Sequence, residues 1–111
     1  MSKKFSIKQP ITESVLDVST GHITEKDAAL LEVSTSPIIA YPFGPREESY
    51  GYMVYLNSDK EEFKAALKSA KEFGFSKQFI NICRWARLKL HCVFVKFDRD
   101  GALYDLPTFN W

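Results

Sequence analysis

Two short polar clusters carry the side chains best equipped for chemistry. Asp98-Arg99-Asp100-Gly101 ends an apolar run and sets two carboxylates around a guanidinium. Carboxylates at a strand end can hold a hard cation or serve as acid and base. A full calcium loop needs more oxygen ligands and a late Glu, and none follows in register. The same four residues also suit a tight turn. Ser19-Thr20-Gly21-His22 is the second cluster, between a β-prone run and a helix start. Its hydroxyls and imidazole could act as nucleophile, donor and base. The Gly-x-Ser-x-Gly spacing of a hydrolase elbow is missing. Hydroxyls in that position equally well satisfy free N–H groups ahead of a helix. His91, Cys83 and Cys92 add no zinc-ligand spacing. The candidate site residues are Ser19, Thr20, His22, Asp98, Arg99 and Asp100, with no metal and no cofactor expected.

Several elements must position these clusters. Val15–Val18 reads as a short strand leading into the first cluster. Thr24 can cap a short helix that carries Glu25 and Asp27 in its first turn. Ile38–Tyr41 and Tyr50–Leu56 read as strands paired in a hairpin, the first limited by Pro42. Both faces of the second are apolar, which predicts cover on each side. Asp59 or Ser58 opens a helix with Phe63, Ala66, Leu67, Ala70 and Phe73 on its buried stripe. Lys60, Lys64, Lys68 and Lys71 lie off that stripe, and Gly74 terminates the helix. Ser76 to Leu90 is the strongest pattern, a continuous amphipathic helix with Phe79, Ile82, Cys83, Ala86 and Leu90 on one side. Val93, Val95 and Phe97 then alternate along a strand into Asp98. The order predicts an α+β fold with a three- to four-stranded, mainly antiparallel sheet and helices packed over one face.

The 111 residues suit one domain, with residues 1–13 as an N-terminal arm and 102–111 as a C-terminal tail packed on the body. The tail carries Leu103, Tyr104, Leu106, Phe109 and Trp111, too apolar for disorder. Fifteen basic residues nearly balance fourteen acidic ones, which disfavours a dedicated nucleic-acid binder. Two cysteines are too few for a disulfide scaffold and fit reduced core positions. With neither a signal peptide nor a long apolar span, the expected setting is the cytoplasm, away from membrane.

A resemblance adds to this reading. Ser19-Thr20-Gly21-His22-Ile23-Thr24-Glu25 with Asp27, Tyr50-Gly51-Tyr52, Gly74-Phe75-Ser76, Phe79-Ile80-Asn81-Ile82, Arg84 and Ala86-Arg87 carry its first part. Phe97-Asp98-Arg99-Asp100 and Leu106-Pro107-Thr108-Phe109-Asn110-Trp111 carry the rest. Together they resemble a family of small bacterial proteins of unknown function, with Gly21 where Ala is more usual. The resemblance implies carriage on mobile genetic elements such as plasmids, genomic islands or integron cassettes. It implies no reaction and no site residues.

The leading expectation is therefore a non-enzymatic binding module, accessory to a mobile element, with a protein partner or a second copy as its ligand. The alternative is a small enzyme or ligand-binding protein whose site joins Ser19–His22 to Asp98–Asp100. A third reading has Lys60, Lys64, Lys68, Arg84, Arg87 and Lys89 contacting nucleic acid, helped by Tyr41, Tyr50, Tyr52, Tyr55 and Trp85. A Lys/Arg face of this kind is more commonly just solvated.

Overall fold

The computed structural model describes residues 14–43, 51–109 and 111. The expected arm at residues 1–13 lies outside them, as do residues 44–50, which include Tyr50 of the second expected hairpin strand. Four strands, β1 (Ser14–Ser19), β2 (Ile39–Phe43), β3 (Gly51–Tyr55) and β4 (Cys92–Asp98), form one sheet in the order β1-β4-β3-β2. β4 and β3 pair antiparallel, as do β3 and β2, while β1 runs parallel to β4. The sheet is thus mixed and mainly antiparallel, and the fold is α+β. Pro42 lies within β2 rather than ending it, which an edge strand tolerates because its outer N–H groups need no partner.

The helices are α1 (Glu25–Leu31), α2 (Lys60–Phe73) and α3 (Lys77–Arg84). Each starts at a residue chosen for the purpose. Thr24, Asp59 and Ser76 each accept a hydrogen bond from a first-turn N–H. Gly74 ends α2 at φ 120°, a backbone position that a side chain would strain. Leu16, Val18, Tyr52, Val54, Val95 and Phe97 point from the sheet into one core with Phe63, Leu67, Phe79, Ile82 and Cys83 from the helices. Phe75, Phe79 and Phe97 stack in sequence through it. None of the described helices is long and apolar enough to cross a membrane.

Two expectations meet a different backbone. The helix from Ser76 does not continue regularly to Leu90. Trp85–Lys89 widens into a π-helical turn, with the Leu90 N–H donating to the Trp85 carbonyl. The extra residue in that turn rotates the stripe. Leu90, expected inside, is 40% exposed, and Leu88 packs against the core instead.

The second difference concerns β3. Among the described residues, no helix covers the other face of the sheet, where Met53 and Tyr55 point. Val15, Ile39 and Tyr41 on that face are 43%, 50% and 57% exposed. Apolarity on both faces of β3 therefore does not mean cover on both.

Candidate functional site

The parallel pairing of β1 with β4 sets Ser19 beside Asp98. The two polar clusters thus leave adjacent strands at the same end of the sheet. Gly101 packs against the end of β1 so closely that a Cβ there would lie 2.6 Å from the Val18 carbonyl carbon and oxygen. The Ser19 N–H donates to the Ala102 carbonyl at 2.8 Å, which locks the two chain turns together.

The polar residues of the first cluster are buried in the fold. Ser19 Oγ accepts from the Gly21 N–H at 3.0 Å and caps the short 3-10 turn Thr20–His22. Thr20 is buried beside it. His22 is fully buried, and both of its nitrogens are occupied. Its Nε2 accepts from the Tyr104 N–H at 2.9 Å, so the ring proton sits on Nδ1 and is donated to the Pro107 carbonyl at 2.9 Å. Asp98 closes its own turn, accepting from the Asp100 N–H at 3.0 Å through Oδ1 and from the Gly101 N–H at 2.8 Å through its carbonyl. Its other oxygen faces Lys96 Nζ at 3.7 Å. Arg99 and Asp100 are exposed. Among the described residues, no three of His, Cys, Asp and Glu come together as a metal cluster.

The C-terminal residues bind to the same corner. Phe109 N–H donates to the Gly21 carbonyl at 2.7 Å, and Trp111 Nε1–H to the Ile23 carbonyl at 2.9 Å. The Tyr104 hydroxyl donates to the Asp17 carbonyl at 2.7 Å, and its ring meets Trp85 edge-on. His22 is thus the hub of a latch between the first cluster and the tail.

A second polar hub lies under the helices. Asp27 is fully buried, and three donors converge on its carboxylate. The Thr24 N–H reaches Oδ2 at 3.0 Å, the Ser76 hydroxyl reaches Oδ2 at 2.6 Å, and the Ser76 N–H reaches Oδ1 at 2.8 Å. Ser76 Oγ in turn accepts from the Phe79 N–H at 3.1 Å. One carboxylate therefore joins the N-terminal ends of α1 and α3, where helix dipoles favour negative charge.

A family model described as "Family of unknown function (DUF5983) C-terminal domain" matches residues 15–111. The chain belongs to that family. No curated protein and no solved structure matches it. In this DUF5983 domain, some of the residues that carry the resemblance meet at the two hubs: His22 with Pro107, Gly21 with Phe109, Ile23 with Trp111, and Thr24 and Asp27 with Ser76. Arg87, expected on a solvated basic face, instead donates from Nε to the Asn57 carbonyl at 2.9 Å and from Nη2 to the Ser58 carbonyl at 2.8 Å. It clamps the loop between β3 and α2.

Both cysteines are free and buried. Burial, and secondarily the Asp27 carboxylate, push the Cys83 thiol far above its ordinary 9.0; burial raises Cys92 as well. In the unfolded DUF5983 chain, Cys83 ionises near 9.0, whereas in the fold it stays protonated. Above that pH the unfolded state binds fewer protons, so stability falls as pH rises, by about 1.4 kcal/mol per pH unit for this group. Urea unfolding between about pH 8 and about pH 10.5 measures it. The wild type loses stability more steeply than Cys83→Ala; parallel curves would contradict the assignment.

Register lines up the residues of the open face, which the sequence alone could not do. Val15 pairs with Phe94, Phe94 with Tyr55, and Tyr55 with Ile39. These four residues form an apolar row across all four strands on the open face. The Tyr55 and Phe94 rings sit 5.3 Å apart within it. Beside it runs a second row, Asp17, Lys96, Met53 and Tyr41. Strand alternation alone shows which residues share a face; the sheet order is needed to line them up.

Proposed function

We propose that this domain is a non-enzymatic interaction module that self-associates through the open face of its sheet. The observation that carries the reading is the apolar row Val15–Phe94–Tyr55–Ile39, partly exposed across the full width of the sheet. Exposed apolar surface of this extent is unfavourable in water and marks association sites. The neighbouring row pairs Asp17 with Lys96 in register. A twofold axis parallel to the strands, between β1 and β4, would set Asp17 against Lys96 of a second copy and Val15 against its Phe94. The resemblance to mobile-element cargo supports an accessory role on a bacterial plasmid, island or cassette, with the cytoplasm as its setting.

Sedimentation velocity across a concentration series tests the reading. Wild type moves from monomer to dimer as concentration rises. Ile39→Lys and Tyr41→Glu, both at exposed positions, weaken the dimer at least about tenfold, or about 1.4 kcal/mol. A strictly monomeric wild type, or variants that dimerise unchanged, would overturn it.

A second reading rests on the Ser19–Asp98 pairing, a ligand site at the ends of β1 and β4. Arg99 and Asp100 would be its exposed contacts. Shifts of their amide signals on titration with a panel of small ions and acids would support it; unmoved signals would count against it.

A further inference from the structure

A cleft between α2 and α3 carries an unusual concentration of one charge. Two adjoining cavities, of about 280 and 400 Å³, share Lys71, Ile80 and Arg84 in their walls. Lys64, Lys68 and Lys71 line one side, and Lys77 and Arg84 the other. No carboxylate lines either cavity. All five cations are exposed, and none has a hydrogen bond or ion pair among the described residues. The chain as a whole is nearly neutral at +1, so this is segregation of charge, not excess.

The segregation is built into α2. Lys60, Lys64, Lys68 and Lys71 fall on one stripe at helical spacing; Glu61 and Glu72 border its outer edge, and none of the acids of α2 reaches the cleft wall. Lysines three and four residues apart on one helix repel one another. Among the described residues no carboxylate lines the cleft between them and α3, so an acidic ligand would relieve the repulsion there.

We infer that this cleft binds an acidic amphipathic helix from a protein partner. Each rail of cations spans seven residues of helix, about 10 Å at 1.5 Å per residue. Acidic residues on both flanks of an incoming helix would repeat at the same spacing. Between the rails the floor is apolar, with Leu67, Ile80 and Leu88. That matches the apolar stripe of such a helix laid in a groove. Phosphate sites add hydroxyls, amides and backbone N–H groups to their cations. Here Asn81 is the one neutral polar side chain in either wall. Single-stranded nucleic acid needs open ring faces for stacking. Phe63 and Phe75, the aromatic residues of the cleft, are buried. The site lies on the helix layer and does not depend on self-association through the sheet face.

The test uses the full chain and a fluorescein-labelled synthetic peptide of about 18 residues. The peptide carries Leu on one helical stripe and Glu on both flanks. The comparison probes are a scrambled peptide of the same composition and a duplex DNA. Anisotropy at low salt is expected to show peptide binding, at least about tenfold tighter than to the scrambled sequence. Lys68→Glu and Arg84→Glu each weaken it at least about tenfold, and Arg84→Lys largely restores it. Amide signals of α2 and α3 shift on binding while those of β1 do not. Both sites are exposed, and circular dichroism confirms that each variant is folded. Absence of peptide binding, equal binding of the scrambled peptide, indifference to both charge reversals, or tighter binding of the duplex would overturn the inference.

Discussion

Asp27→Ala is expected to destabilise the domain by about 3 kcal/mol or more, as read by urea unfolding with an unchanged denaturant slope. The carboxylate is fully buried and accepts from Thr24 N–H, Ser76 N–H and the Ser76 hydroxyl. Alanine leaves the two backbone donors without a partner in the interior, which costs more than the lost bonds alone. It also removes the negative charge that faces two helix N-termini. Asp27→Asn is the sharper probe. The amide keeps the shape but brings an NH₂ group to a site made of donors. A cost of about 2 kcal/mol is expected for it, between wild type and alanine. Ser76→Ala removes one of the three donors and the cap of α3, for about 1 kcal/mol. If Asp27→Ala cost well under about 1 kcal/mol, the carboxylate would not be the link between α1 and α3.

His22→Ala is expected to cost about 3 kcal/mol and to loosen the C-terminal residues specifically. The ring is fully buried, holds the Tyr104 N–H and the Pro107 carbonyl, and packs near the Tyr104 ring. Its loss leaves a cavity and an unpaired N–H. Hydrogen exchange distinguishes this from general weakening. The Tyr104 amide and the Trp111 indole N–H exchange faster in the variant, while Val54 and Val95 in the sheet centre change only with the global stability. Uniform acceleration across the chain would mean that His22 serves the core and not the latch.

The hubs show how much local pattern could reveal. Thr24 and Asp27 were legible as a helix start because capping acts within one turn. The reach of Asp27 to Ser76 was not, because no periodicity links residues so far apart in the chain. Val93, Val95 and Phe97 declared their shared face by simple alternation. The parallel partnership of β1 with β4 did not, since it depends on where a chain end returns in space. Trp85–Lys89 defeated the helix reading because side-chain spacing gives no sign of an i→i+5 hydrogen bond. His22 stood out as a candidate base because residue type is visible in a sequence, whereas its hydrogen bonds to Tyr104 and Pro107 are not. Arg87 looked solvated for the same reason. Helices over one face already implied an open one, but its row Val15–Phe94–Tyr55–Ile39 stayed hidden because only strand order lines those residues up.

The association claim is tested most directly by methyl and aromatic NMR signals on dilution. Self-association through the sheet predicts concentration-dependent shifts at Val15, Ile39, Tyr41 and Phe94, with Leu67 and Ile80 in the α2–α3 cleft unmoved. Signals from the sheet face that hold constant at every concentration, or shifts confined to the cleft, would contradict it.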